Sequence, residues 1–154
     1  MTRLRIIHLS QIRRWQPCTE QYFIVAERYP KGVPLTMEAA DALMIHGVDV
    51  VWGLLHLLGQ RDRPEFILFT LRQRQQHLVA LLRQAKLPIK ADALAALTLE
   101  TLEDADLAKP LLDAARAVTW APGEAARVAR VAAWAARFRE QALWIINRLG
   151  GRET

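Results

Sequence analysis

The sequence predicts an all-α protein, a compact single-domain bundle of six or seven amphipathic helices. Proline and glycine divide the chain into helix-length segments, and apolar residues within these segments recur at three- and four-residue spacing. The stretch LRIIHL near the start comes nearest to a strand pattern. A length of 154 residues, with 52% apolar and 24% charged residues, fits one globular domain.

The N-terminal third predicts three or four short helices. Ser10 would cap a short helix before Pro17, and Pro17 suits the first turn of a helix that ends at Tyr29. Thr36 is a suitable N-cap for a helix from Met37 to about His46, followed by Gly47 and a further helix over residues 48–58. The inward positions expected here are Cys18, Tyr22, Val25, Ala26, Tyr29, Ala40, Leu43, Met44, Val48, Val51, Trp52, Leu55 and Leu58.

A long helix is predicted over residues 64–86, started by Asp62 and Pro64 and stopped by Leu87 and Pro88. Its predicted buried seam is Ile67, Leu71, Leu78, Leu82 and Ala85. Its polar residues Arg72, Arg74, Arg83, Gln73, Gln75, Gln76 and Gln84 are spread around the helix, so a solvated surface is expected for them.

Two further helical segments complete the prediction. In the acidic segment 98–119, Thr101 and Asp104 resemble a capping box, and Pro110 should kink the helix or mark its true start. The predicted inner face there is Leu107, Leu111, Ala114, Ala115 and Val118. The C-terminal helix, rich in Ala, Arg and Trp, spans 124–149, with an expected core stripe of Val128, Val131, Ala135, Phe138, Ala142, Ile145 and Leu149.

Charge and cysteine content bear on partners and compartment. The net charge is +5, with +4 over residues 1–35, −3 over 89–123 and +3 over 124–154. The basic balance keeps a nucleic-acid-binding or regulatory module as an alternative function. One cysteine, Cys18, excludes an intramolecular disulfide and favours a reducing compartment. No apolar run is long enough for a signal peptide or a membrane span, so a cytoplasmic protein that does not contact a membrane is expected.

Residues about 15–58 carry a recurring arrangement: a Cys that opens a helix, a "yP-x-G" turn, a Thr-capped helix and a D-x-x-W sequence. The positions are Cys18, Phe23, Tyr29, Pro30, Gly32, Thr36, Asp49, Trp52 and Leu57. This segment resembles a module of small uncharacterised helical proteins from phages and bacterial mobile elements. The resemblance implies a phage or mobile-element context and no activity.

No residue pattern indicates catalysis, a metal or a cofactor, so we predict that the protein is not an enzyme. Cys18 lies near a helix N-terminus, which can lower a thiol pKa, but no base is spaced to activate it. A partly buried, structural Cys18 is expected, and an enzyme that uses Cys18 is the alternative. The histidines His8, His46, His56 and His77 lack ligand spacing, and the carboxylates Glu100, Glu103, Asp104 and Asp106 suit a helix start.

The last helix carries the predicted partner-binding residues. At 100° per residue, Arg130, Arg137 and Arg148 fall within about 20° of one another, with Trp134 beside them. Arg and Trp often dominate interface energies; alternatively, these arginines cover the rim of a core tryptophan. The favoured function is a non-catalytic protein-binding protein, an anti-CRISPR-like inhibitor of a bacterial defence complex or a toxin-neutralising immunity protein. Homodimerisation stays open.

Overall fold

A computed structural model of the chain describes residues 3–151. It is mostly helical, at 70%, with six helices of at least seven residues, which confirms the predicted all-α class. Within the described residues, the elements are β1 (Ile6–Ile7), α1 (Leu9–Arg14), α2 (Thr19–Arg28), β2 (Val33–Pro34), α3 (Met37–Ile45), α4 (Val50–Leu55), α5 (Asp62–Gln84), α6 (Pro88–Ala95), α7 (Leu102–Thr119) and α8 (Glu124–Arg148).

Contacts along the chain group it into two compact units. The first unit joins the residues up to Leu58 with those from Trp134 onward, and the second unit is Gly59–Ala133. Helix α8 therefore begins in the second unit and ends in the first.

The strands of the first unit form a short antiparallel hairpin. Ile6 pairs with Pro34 and Ile7 with Val33, so LRIIHL does contain a strand, although a very short one. The turn before β2 requires glycine, because Gly32 has φ +101° and a Cβ there would lie 2.7 Å from Ile6 Cγ2 and 2.9 Å from the Ile7 carbonyl oxygen.

The core of the first unit combines the N-terminal helices with the end of α8. Thr36 caps α3 as predicted, since its hydroxyl oxygen accepts the Ala39 N–H at 3.1 Å. The buried apolar residues of this unit are Ile7, Val25, Val33, Leu35, Met37, Ala39, Ala40, Leu43, Val51, Leu54, Leu58, Ala142, Ile145 and Ile146. Burial of the last three fixes the end of α8 in this unit.

In the second unit, α5 packs against α6 and α7. The core comprises Leu68, Leu71, Leu78, Leu82, Ala91, Leu94, Leu99, Ala105, Ala108 and Leu112. Polar side chains of α5 reinforce this packing. Arg72 donates from Nε (2.9 Å) and Nη2 (2.6 Å) to the Leu99 carbonyl, and Gln75 Nε2 donates to the carbonyls of Leu94 (2.8 Å) and Leu97 (2.9 Å). The expected solvated surface of α5 therefore holds for Gln76, Arg83 and Gln84 but not for Gln73, which is buried.

Several predicted boundaries were wrong. The long helix is Asp62–Gln84 rather than 64–86, and Pro88 opens α6 rather than only ending α5, because proline is accommodated in a first turn. His8, not Ser10, is the N-cap of α1. The capping box at Thr101 and Asp104 is confirmed, and α7 runs from Leu102 through Pro110. Pro110 is therefore not the start of that helix.

Some predicted buried faces were also wrong. On α5, Leu71, Leu78 and Leu82 are buried as expected, but Ile67 and Ala85 are exposed. On α8, Ala142 and Ile145 are buried, whereas Val128, Val131, Ala135 and Phe138 are exposed. Of the predicted α7 face, only Ala115 is even half-buried.

Candidate protein-docking surfaces

Helix α7 presents most of its larger apolar residues to the outside. Leu107, Leu111 and Val118 are 70%, 50% and 48% exposed, whereas Leu112 is fully buried. The inward face otherwise uses small residues, Ala105 and Ala108. Small side chains allow α7 to lie close to α5, and the leucines one position away are left on the surface.

A groove runs between α6 and α7 in the second unit, and we call it the α6–α7 groove. It has a volume of about 230 Å³. Its lining is Leu82, Lys90, Ala93, Leu94, Leu97, Leu111, Ala114, Ala115 and Val118. Lys90 is the one charged residue in this lining, so the groove is an apolar channel with a cation at its border.

The charged groups near the groove differ in their pairing. Asp92 is paired with Arg83 at 3.1 Å and Asp113 with Arg74 at 2.6 Å. Lys90 forms no ion pair with a carboxylate among the described residues. The unmatched charge beside the groove is therefore positive.

Of the four predicted partner-binding residues, Arg130 lies in the second unit and supports the turn before α8. Its guanidinium is 3.8 Å from the centre of the Trp120 ring, and its Nη1 donates to the Ala121 carbonyl at 2.7 Å. Arg116 is also near the Trp120 ring, at 5.8 Å. Arg130 thus has a local structural role that the sequence pattern did not predict.

The other three predicted residues belong to the first unit. Trp134 is 49% exposed and lies against Phe138, with ring centres 5.5 Å apart. The Arg137 guanidinium is 4.8 Å from the Trp134 ring, and Arg148 is 4.9 Å from the Trp144 ring. We call Trp134, Arg137 and Phe138 the Trp134 cluster. Arg148 pairs with a different tryptophan, so it is not part of this cluster.

A second cavity lies within the first unit, and we call it the aromatic pocket. It is about 80 Å³ in volume, and its lining includes Trp15, Tyr22 and Trp52. His56 stacks on Trp15 at 4.9 Å and meets the Trp52 ring edgewise at 4.5 Å. Sequence reasoning missed this pocket because its walls come from elements separated along the chain. The aromatic residues around the D-x-x-W sequence were the available indication.

The residues considered for chemistry occupy separate places. Cys18 is exposed at the N-cap of α2 and makes no capping hydrogen bond, so the expectation of a partly buried cysteine was wrong. Within residues 3–151, no group of three or more His, Cys, Asp or Glu side chains is placed to hold a metal ion. Across the same residues, no helix combines the length and apolar character needed to cross a membrane.

The acidic segment acts locally as a helix start. The Asp104 carboxylate accepts hydrogen bonds from the Glu100 and Thr101 backbone N–H groups. The Asp104 N–H in turn donates to the Thr101 hydroxyl. The bond from the Glu100 N–H is the main cause that lowers the pKa of Asp104 below its ordinary value. Since an ionised carboxylate is favoured at this end of a helix, the acidic charge at Asp104 has a structural explanation.

Comparisons with protein families, with curated proteins and with solved structures find no match to this chain.

Proposed function

We propose that this chain is a non-catalytic protein-binding protein that receives an amphipathic helix of its partner in the α6–α7 groove. The observation that carries the proposal is the outward apolar face of α7, where Leu107, Leu111 and Val118 are each about half exposed or more. Exposed apolar faces of this kind are typical of interaction sites.

The spacing of these residues suits a helical partner. Leu107, Leu111 and Val118 are separated by four and seven residues, so they lie on one side of α7 over about 16 Å. A partner helix of about three turns would cover that length. Its apolar residues, at i, i+4 and i+7, would bury themselves in the groove.

The charges near the groove indicate which residues a partner helix should carry. The cation at the groove is Lys90, while the neighbouring carboxylates of Asp92 and Asp113 are already paired with arginines. A partner helix with an acidic residue beside its apolar face would place a carboxylate near Lys90. Pairing at such a rim contributes more to association rate and specificity than to affinity.

The test compares what is captured from a bacterial lysate by the intact chain and by variants. Leu107→Glu with Leu111→Glu should abolish capture of the partner, and Lys90→Glu should weaken it. Leu111 and Lys90 line the groove, and Leu107 lies one turn before Leu111 on the same exposed face of α7. Ile45→Glu is the matched control, since Ile45 is 80% exposed in the first unit. Capture that survives the double Leu variant would contradict the groove as the binding site.

A second surface on the first unit is proposed from the Trp134 cluster. Trp134 and Phe138 are exposed beside Arg137, and aromatic and Arg residues are enriched at interface hot spots. Trp134→Ala and Arg137→Glu should weaken partner capture by at least tenfold if this surface takes part. Capture by these two variants at the level of the intact chain would restrict binding to the groove.

The biological setting is proposed on the resemblance of residues 15–58 to phage-type proteins. In that setting the partner is a host or companion protein, and the chain inhibits a bacterial defence complex or neutralises a toxin. The neighbouring genes test this, since a toxin gene or a defence locus would distinguish the two versions. Nucleic-acid binding and a Cys18 enzyme remain alternative predictions. Binding that weakens steeply with salt would favour nucleic acid, and an activity lost in Cys18→Ser would favour the enzyme.

A further inference from the structure

We infer that the aromatic pocket of the first unit is a recognition site for a single aliphatic side chain, of leucine size, presented by a peptide segment. The inference rests on the proposed function in one respect, which is that the occupant of the pocket is a segment of a protein. The pocket would give that protein a second contact, with a defined chemistry. It uses none of the residues of the α6–α7 groove.

The size of the pocket fits a branched aliphatic group. A cavity of about 150 Å³ admits benzene, with six carbons, so about 80 Å³ admits three or four carbons, the size of an isopropyl or isobutyl group. The wall residues Val25, Leu43 and Leu54 are buried and apolar. A group of that size would exchange contact with water for contact with these side chains, which favours binding.

The mouth suits a contact with another protein. Trp52 is 36% exposed, and Trp15 and Tyr22 are half-buried, so their rings would pack around the entering group. Large, stiff aromatic side chains supply contact area at a low entropic cost. His56 lies against both tryptophans, and its Nδ1 is 2.9 Å from the Trp52 carbonyl oxygen. The tryptophans therefore have defined positions before any ligand arrives.

The polar groups beside the pocket distinguish a peptide from a plain hydrocarbon. Gln21 Oε1 accepts the Asp49 backbone N–H at 3.0 Å, and this contact fixes the orientation of the Gln21 amide because an N–H can only donate. Asp49 Oδ1 accepts the Trp52 N–H at 2.9 Å. Gln21 Nε2 and Asp49 Oδ2 make no hydrogen bond to another group within residues 3–151.

Those two groups are one donor and one acceptor, both on residues that line the pocket. A peptide group offers the complementary pair, a carbonyl that accepts from Gln21 Nε2 and an N–H that donates to Asp49 Oδ2. An aliphatic side chain together with its own backbone amide would therefore satisfy both the apolar wall and the polar edge.

The experiment uses the full chain and N-acetyl-leucine N-methylamide, followed by amide and indole N–H shifts in NMR spectra. We expect saturable shifts at Trp15, Tyr22, Trp52 and Gly53. The alanine analogue should bind at least tenfold more weakly because it lacks three carbons. The alcohol 3-methylbutan-1-ol, which has the side chain but no peptide group, should also bind more weakly than the leucine probe.

Substitutions at two pocket residues, Gly53 and Gln21, refine the test. A Cβ on Gly53 would lie 3.9 Å from Trp15 Cζ3, an ordinary contact, so Gly53→Ala should fold normally and Gly53→Leu should fill the mouth and abolish the shifts. Gln21→Glu keeps an oxygen for the Asp49 N–H but removes the Nε2 donor. It should weaken the leucine probe about fivefold and leave the alcohol unchanged, whereas the exposed control Gln76→Glu should alter neither.

Several results would overturn the inference. These are no saturable shift in the folded protein, equal binding to Gly53→Leu, or binding of the alcohol as tight as that of the leucine probe. The last result would assign the pocket to a free aliphatic molecule. The α7 variants Leu107→Glu and Leu111→Glu should leave the pocket shifts intact, so failure of the groove and failure of the pocket are separate outcomes.

Discussion

Arg139 holds both carboxylate oxygens of Asp41, with Nε 3.0 Å from Oδ1 and Nη2 3.1 Å from Oδ2. The pair joins α8 to α3 within the first unit, where planar guanidinium and planar carboxylate match in a two-bond arrangement. It lies at the surface, with side-chain exposures of 53% and 38%. Water and salt therefore limit its contribution.

A double-mutant cycle with Arg139→Ala and Asp41→Ala should give a coupling energy of about 0.5–1 kcal/mol, the upper part of the range for exposed pairs. The free energy of unfolding in denaturant measures it. The coupling should fall when salt is raised to 1 M, because the Debye length then shrinks to about 3 Å. An unchanged coupling at high salt would show that packing, rather than charge, joins these residues.

Two neighbouring leucines of α7 lie on different faces of the helix, so substituting them should have different effects on stability. Leu112→Ala should destabilise the protein by about 2–5 kcal/mol, since it opens a cavity in the core of the second unit. Leu111→Ala should cost only about 1 kcal/mol because half of its surface is already in water. Thermal and denaturant unfolding of both variants checks this. Equal losses would contradict the difference in burial between Leu111 and Leu112.

The stability of the folded chain should fall in acid when Asp104 becomes protonated. Its pKa in the folded chain is below the ordinary value of 3.8, chiefly because of the hydrogen bond from the Glu100 N–H. The stabilisation is thus fully present above pH 3.8 and is lost as the pH falls through the lower, folded-state pKa. Asp104→Asn should remove this part of the acid dependence of unfolding, while Asp106→Asn, at an exposed position, should retain it.

Removal of the N-cap of α7 should lower the stability of the protein. Thr101→Ala removes the hydroxyl that accepts the Asp104 N–H at 3.1 Å, and about 1 kcal/mol of stability should be lost. Thr101→Ser keeps a hydroxyl and should recover most of that loss. If the serine variant is as unstable as the alanine variant, the threonine methyl group, rather than the cap, supplies the stability.

The contact between Arg130 and Trp120 should stabilise the turn before α8. Arg130→Ala removes a cation 3.8 Å from the ring centre and should cost about 1 kcal/mol. Arg127→Ala is a suitable control, since Arg127 pairs with Glu124 on the exposed side of the same helix. A shift in Trp120 fluorescence should accompany the first substitution only.

Local rules predicted much of the fold. The N-caps Thr36 and Thr101 were correct because a cap depends on a side chain and an N–H three residues away. Helix α6 was missed because Pro88 can either end one helix or open the next, and only the packing of Ala91 and Leu94 decides between them. Local sequence does not contain that information.

Helix faces and sites were harder to predict. On α7, hydrophobic periodicity favours the larger leucines, but close packing on α5 selects the alanines Ala105 and Ala108 instead. The aromatic pocket depends on several elements meeting in space. Arg130 was predicted as a partner-binding residue or as cover for a core tryptophan. Its guanidinium instead lies over the half-exposed Trp120 ring across a turn, which helix geometry alone does not indicate.

The division of the chain has a consequence for its synthesis. A ribosome makes every residue of Gly59–Ala133 before it reaches Ala142, Ile145 and Ile146, which complete the core of the first unit. Nascent segments that contain all their core residues can fold as they emerge. The inserted unit can therefore fold while the N-terminal helices, although made first, still await the end of α8.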